Sequence, residues 1–326
     1  MPQPIKAITL EEHISFPIPG DQSPFYDVIW QVFPQRLEVL RDASELRLAD
    51  MDAGNVSLQI MSYLPGIAVS NPSGCRAAND EFVRLVQQHP DRYRAFAVLP
   101  MAHPEEAARE LERAVKDLGL LGALVDNHLR DGTHYDDEKF WPVFAMAEKL
   151  DVPIYLHPAP PIESDMKSRF NGNYSVPVAM GLATGAWGWH ENVGLHVLKL
   201  YAAGLFERHP NLKIIIGHMG ELMPCMIDRV ERLEFFKKMA ATRNKSMRKV
   251  WAENIWITTS GIFSPNPLAT ILKTTPVEHI MYSVDYPFES NVTGREFLEQ
   301  LADSDVLTRE ESEMIAYKNA EKLFKL

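Results

Sequence analysis

The chain has 326 residues, 46% hydrophobic and 24% charged, which is a globular composition without repeats or low-complexity tracts. Its net charge of −11 argues against nucleic acid, whose phosphates require clustered Lys and Arg, but not against a small anion, because a local metal or Arg can outweigh the global field. Two cysteines, Cys75 and Cys225, make a disulfide framework unexpected and read as buried thiols in a reducing compartment; no segment approaches the roughly 18 apolar residues of a membrane span, and no secretion signal follows Met1-Pro2-Gln3-Pro4, so a cytoplasmic protein without membrane partners is expected.

The first apolar run, Ile5 to Leu10, leads into Glu11-Glu12-His13. In extended backbone Glu11 and His13 share one face and Glu12 takes the other. Further strand-like runs are Val56–Ser62, Tyr93–Leu99, Gly122–Val125, Pro153–His157, Leu212–His218, Asn254–Thr259 and His279–Asp285. Several are apolar throughout, as strands buried on both faces are. Between them, Glu105–Leu118, Lys139–Leu150, Asn192–His209 and Met219–Met239 carry apolar residues at helical spacing. Eight strands alternating with helices predict one (β/α)8 barrel over residues 1–326. The alternative, a doubly wound open sheet, usually carries a Gly-rich phosphate loop after its first strand; Glu-Glu-His stands there instead, and no GxGxxG or Walker motif occurs. Ile14–Val32 and Ala159–Trp189 are expected as the long irregular loops over the barrel mouth, the second rich enough in Gly, Pro and aromatics to line or cover a flat apolar substrate.

Four predicted strands end in ligand-type residues: Glu11 and His13, His157, His218, and Asp285. In a barrel all these ends open on the same mouth. Any one of them has an ordinary structural explanation, a hydrogen-bonded His or a turn-forming Asp before Tyr286-Pro287. Four coinciding at one end point to a metal site, whose imidazoles and carboxylates suit Zn²⁺, Mn²⁺ or Fe²⁺, with Mg²⁺ open if more oxygen and water ligands join. Glu221, about one helical turn beyond His218, can reach its ring nitrogen and form a His–Glu pair for acid–base work. Arg229, two turns on, is a candidate for binding a carboxylate.

These segments resemble those of the amidohydrolase-superfamily aromatic acid decarboxylases, the γ-resorcylate, 2,3-dihydroxybenzoate and salicylate decarboxylase group. The matching pieces include Leu10-Glu11-Glu12-His13, His89 to Ala97, Leu121 to Val125, Asp151 to Pro158, Gly204 to Pro210, Ile216 to Glu221, Glu253 to Gly261, Ser283 to Glu289 and Asn319 to Phe324. The resemblance implies a homodimeric or homotetrameric (β/α)8 barrel holding one divalent metal and no organic cofactor. It implies Glu11, His13, His157 and Asp285 as metal ligands, His218 and Glu221 as the catalytic pair, and Arg229 and Phe288 at the substrate. His13 in the ligand set favours Zn²⁺ or Mn²⁺ over Mg²⁺, and the absence of a Lys at the end of the fourth strand fits one metal rather than two. The implied activity is that of a carbon–carbon lyase: reversible, non-oxidative decarboxylation of an ortho-hydroxybenzoate, with Asp285 as proton donor. The alternative is a mononuclear hydrolase or lactonase on the same barrel, its metal activating water. Two stretches depart from the group's pattern, Gln22 to Tyr26 and Ser175 to His190, and His196 reads as structural.

Overall fold

The computed structural model describes residues 5–18, 24–66 and 70–326. Among the described residues, eight parallel strands run in chain order: β1 (Ala7–Ile14), β2 (Val56–Tyr63), β3 (Tyr93–Ala95), β4 (Ala123–Asp126), β5 (Ile154–His157), β6 (Ile214–Ile216), β7 (Ile255–Thr258) and β8 (Ile280–Met281). Regular ladders join β1 to β3 and β4 to β8, and a parallel bridge from Ala97 to Ala123 links the two arcs. This is the (β/α)8 barrel that the strand–helix alternation predicts.

The seam between β8 and β1 is closed differently. Ser283 Oγ accepts the amides of Leu10, at 3.0 Å, and Glu11, at 2.8 Å. His13 N–H donates to Tyr286 C=O at 2.7 Å. A side-chain hydroxyl thus stands in for ladder bonds, which explains why β8 is shorter than the run His279–Asp285 suggests.

The barrel interior is a layer contributed by every arc: Ile8 and Leu10, Ile60, Phe96, Leu124, Tyr155, Ile215 and Met281. Ala320, Leu323 and Phe324 of the C-terminal helix Asn319–Phe324 pack into the same cluster and plug one end. Each fully buried aliphatic side chain there contributes about 1.5–3 kcal/mol relative to exposure. The strand ends that carry ligand-type residues lie at the other end, with the larger core between sheet and helices around them.

Several expected boundaries move. The helix expected over Asn192–His209 begins earlier, as Gly188–Ala203, and is broken at Gly204 (φ 96°) before Leu205–Arg208. Met219–Met239 does not start as a helix; residues 218–222 form a left-handed turn, and helices Met223–Arg232 and Glu234–Ala240 follow. The two long loops contain short helices, Pro24–Val32 in the first and Glu163–Asp165 and Val176–Ala183 in the second. Cys75 is buried as expected, but Cys225 is exposed, because it faces outward on Met223–Arg232. Gln22 and Ser23 lie outside the described residues.

Candidate metal centre and active site

The aim of Glu11 and His13 depends on an irregularity in β1. Ile8 and Leu10 point into the barrel, so simple alternation would carry Glu12 inward and Glu11 outward. The pairing of β1 with β2 shifts between Thr9 and Glu12, so three steps on β1 match two on β2. The extra residue re-aims the strand end, as β-bulges beside active sites do. Glu11 and His13 then face the mouth. Glu12 turns to the seam, where it accepts from Ser283 Oγ (2.8 Å), Val284 N–H (3.0 Å) and Tyr286 N–H (3.2 Å). Burial pushes the Glu12 carboxyl up to about 8 while the Val284 amide, Ser283 and Arg47 pull it back. Arg47, fully buried, donates to His13 C=O at 2.6 Å and lies over the Tyr286 ring. Glu12 and Arg47 therefore fix both strand ends from which His13 and Asp285 project.

Glu11, His13, His157 and Asp285 bring one ligand atom each to within 4.8 Å of one another. The surroundings leave the right atoms bare. Glu11 Oε2 accepts from Tyr155 and, at 3.1 Å, from Thr258, and Gly217 opposite has no room for a Cβ, which would sit 2.8 Å from that oxygen. His157 Nδ1 donates to Pro158 C=O at 2.7 Å, and His13 Nδ1 meets Ser62 Oγ at 3.0 Å. Each His thereby presents Nε2 inward, the second-sphere arrangement that orients metal-binding imidazoles. Among the described residues, Glu11 Oε1, His13 Nε2 and His157 Nε2 are buried without a hydrogen-bond partner. Yet His157 Nε2 is 2.9 Å from Glu11 Oε1, and His13 Nε2 is 3.2 Å from Asp285 Oδ1. Lone-pair atoms at such separations require positive charge among them. A proton on each imidazole would serve the two close pairs separately, whereas a single divalent cation serves all four ligand atoms at once, and the donor set fits one.

The charges in the cluster are biased the same way. Burial alone would raise Glu11, but His218, His157 and His13 around it hold its carboxyl below the ordinary range. Asp285, also pushed up by burial, is held below its usual value by His13 and His218. Burial keeps His13 below an ordinary imidazole, whereas Glu11 lifts His157 above one despite burial.

His218 enters from the turn after β6. His218, Met219, Glu221 and Leu222 have φ of 47°, 56°, 51° and 64°, with Gly220 between them. Left-handed backbone costs about 1–2 kcal/mol for each non-glycine residue, so this turn persists only where side chains hold it. His218 Nδ1 donates to Glu221 Oε1 at 2.8 Å, which leaves Nε2 facing Glu11 Oε1 at 3.6 Å and Asp285 Oδ2 at 3.8 Å. Although burial opposes it, Glu11 and then Glu221 raise His218 well above an ordinary imidazole. Glu221 itself, raised by burial, is lowered overall to about 2 by His218 and His190. The expected His–Glu pair is present, although it is made across a left-handed turn and not along a helix.

Comparison with known proteins identifies the family. Residues 47–326 match the family described as Amidohydrolase. The chain belongs to the amidohydrolase family. Within it, the chain is 47% identical over 322 residues to decarboxylase orsB of Emericella nidulans, covering 98% of this chain and 97% of that protein. It is 33% identical over 337 residues to the γ-resorcylate decarboxylase of Rhodococcus jostii, with 98% of each covered. Its fold matches the dihydroxybenzoic acid decarboxylase of Polaromonas sp. JS666, solved with bound manganese and the inhibitor 2-nitroresorcinol, with a TM-score of 0.84 at 31% identity over 99% of this chain and 97% of that one. The chain thus falls in the aromatic acid decarboxylase group of the amidohydrolases.

In this amidohydrolase the aromatic side of the mouth comes from Pro24–Val32 and the turn after β8. Tyr26, Leu40 and Leu64 form a small cluster with Trp30 and Phe288, and the Phe288 ring lies 5.9 Å from the His13 ring. Phe288 is therefore beside the candidate metal cradle. Arg229 is exposed on Met223–Arg232 and makes no hydrogen bond or ion pair with the cluster among the described residues. His196 is buried and accepts the Tyr135 amide at 3.0 Å, away from the four converging ligand atoms. The sequence reading did not single out Glu12, Arg47, Tyr155, Thr258 or His190 as functional. Tyr155 could have been found, since it precedes His157 by two residues on the same strand face. Nothing local marks Arg47, whose contacts with His13 and Tyr286 are made by folding.

Proposed function

We propose that the chain catalyses reversible, non-oxidative decarboxylation of an ortho-hydroxybenzoate, with Glu11, His13, His157 and Asp285 holding one divalent cation, Zn²⁺ or Mn²⁺. The observation that carries this is the meeting of bare ligand atoms with the Glu221-backed His218 at an aromatic-lined mouth. When bound, the cation supplies a Lewis-acid anchor for the substrate's carboxylate and neighbouring phenolic oxygen.

The chain's own groups account for the proton. Ring carbon–carboxylate cleavage needs a proton at that carbon as the bond breaks. Asp285 rests ionised, so it can take the phenolic proton as the substrate enters and pass it to the ring carbon. The C–H bond forms, the C–C bond breaks, CO₂ leaves, and the phenolate recovers a proton from water on release. His218 Nε2 hydrogen-bonds the phenolic oxygen and stabilises the dearomatised ring, while Glu221 keeps its ring oriented. Phe288, with Tyr26 and Trp30 behind it, offers the aryl ring an apolar face.

The reading extends to a homo-oligomer in the cytoplasm. Leu195, Leu222, Met226 and Phe235 are large apolar residues left exposed, as surfaces awaiting a second copy are. No disulfide joins Cys75 and Cys225, and no helix of the described residues is long and apolar enough to cross a membrane.

The test is metal analysis of the purified protein together with CO₂ release from 2,6- and 2,3-dihydroxybenzoate and a panel of ring-substituted hydroxybenzoates, set against ester and lactone turnover. Stoichiometric metal with CO₂ release supports the reading; ester or lactone turnover without CO₂ release overturns it.

A further inference from the structure

One titratable group at the mouth is not used by this mechanism. His190 lies in the stretch that departs from the group's pattern, two residues into the helix Gly188–Ala203, and is buried. Its ring is 5.0 Å from the His218 ring, and each ring meets one oxygen of Glu221. Nδ1 is 2.6 Å from Glu221 Oε2, and Nε2 is 2.7 Å from Gly185 C=O. A carbonyl can only accept, so Nε2 carries a proton. Glu221 Oε1 already accepts from His218 Nδ1. An ionised Glu221 therefore requires a proton on His190 Nδ1 as well.

The same helix approaches Glu221 at a second point. Gly194, one turn after His190, lies against the Glu221 backbone, where a Cβ would be 2.8 Å from the carbonyl oxygen. His190 and Gly194 share a helix face by their four-residue spacing. One supplies a donor to the Glu221 side chain, and the other leaves space for its backbone. Glu221 is the third of four non-glycine residues in the left-handed turn 218–222, so this face supports the segment that most needs outside contacts. The nearby charges Glu191 and Arg169 are paired with each other, so His190 shares Glu221 with His218, one ring on each carboxylate oxygen.

We propose that His190 is a positioning residue for the decarboxylation: an imidazolium donating from both ring nitrogens, it fixes Glu221 as an ionised acceptor and thereby holds His218 Nε2 toward the substrate. The proposal rests on the decarboxylase reading for its effect on rate, but the protonation of His190 does not. Glu221, lowered to about 2, fits the ionised acceptor this requires. None of the four candidate metal ligands touches His190, so metal content should not depend on it.

Two measurements test it on the full-length protein loaded with diamagnetic Zn²⁺. In ¹⁵N spectra of labelled histidine recorded at the pH of the assay, the signal lost in His190→Ala should show both ring nitrogens protonated, as the two hydrogen bonds require. In steady-state CO₂ release, His190→Ala should lower kcat about 10–100-fold, as loss of a supporting partner does. KM should change less than about twofold and zinc content should stay at wild type, because uniform substrate binding is untouched. His190→Gln, which keeps one donor to Glu221 but no charge, should recover part of the loss. A bare ring nitrogen on His190 overturns the proposal, and so does wild-type kcat in His190→Ala. Absence of CO₂ release from every hydroxybenzoate by the wild-type protein would remove the decarboxylase reading, while the ¹⁵N result would still decide the charge on His190.

Discussion

The candidate metal cradle and the His218 turn sit on the same mouth but are held largely by different means. Glu11, His13 and His157 project from strands, so sheet register sets their positions, and Asp285 joins them from beyond β8 on left-handed backbone of its own, with φ 73°. His218 and Glu221 project from left-handed backbone that no ladder supports and that side-chain contacts from Gly188–Ala203 hold in place. The difference teaches that sheet pairing, bulge included, aims a strand-end residue through its ladder, whereas a strained turn must be held by side chains from a second element.

The sharpest way to break this comparison is at its shared residue. Asp285 completes the cradle and faces His218 Nε2 at 3.8 Å. Asp285→Asn keeps an oxygen for the metal but cannot shuttle the proton, so turnover should fall by about 10²–10⁴-fold, the worth of a positioned acid–base group. Binding of a nitro-substituted phenol, measured by titration calorimetry, should be largely retained. CO₂ release at the wild-type rate would remove Asp285 from the proton path.

The two supporting carboxylates separate the regions. Glu12 accepts two backbone amides and the Ser283 hydroxyl at the β1–β8 seam. Glu12→Gln turns an amide N–H toward those donors, which should lower metal content and kcat together, the latter about 10–100-fold, with a stability loss of about 1–3 kcal/mol for a buried amide left unpaired. Glu221→Gln, which touches none of the four cradle residues, should lower kcat by a similar factor with full metal content. Metal analysis beside steady-state kinetics checks both. Full metal in Glu12→Gln, or lost metal in Glu221→Gln, would show that the regions are not held separately. Chelation supplies a smaller, thermodynamic version of the same test. Metal at 100 times its Kd contributes about 2.7 kcal/mol to stability. Thermal melts with and without EDTA should show the same downward shift in wild type and Glu221→Gln, and less in Glu12→Gln.

The comparison also explains what could be read in advance. Glu11, His13, His157, His218 and Asp285 are legible because each stands at the end of a short apolar, β-branched run. The bulge between Thr9 and Glu12 was not visible, since it is created by pairing with β2 and by two amides sharing Ser283 Oγ. Met219–Met239 read as one helix because apolar spacing continues through it. The backbone instead turns left-handed at 218–222, where the His218–Glu221 contact and the support of His190 and Gly194 outweigh helical propensity. His190 carries no local signal, because its partner Glu221 is 31 positions away.

Arg229 offers the mildest intervention and a check on where this chain's own mouth ends. It follows Glu221 by two helical turns in sequence, yet its side chain is exposed and lies outside both the cradle and the turn. An exposed helical Arg without a partner in the cluster contributes little to folding, so Arg229→Ala should change stability by no more than about 0.5 kcal/mol, read from denaturant midpoints. If its guanidinium nonetheless binds the substrate carboxylate, as the family resemblance implies, KM should rise while metal content stays at wild type. An unchanged kcat/KM would confine substrate recognition to the residues that the barrel mouth of this chain brings together: the cradle, His218 and the ring of Phe288.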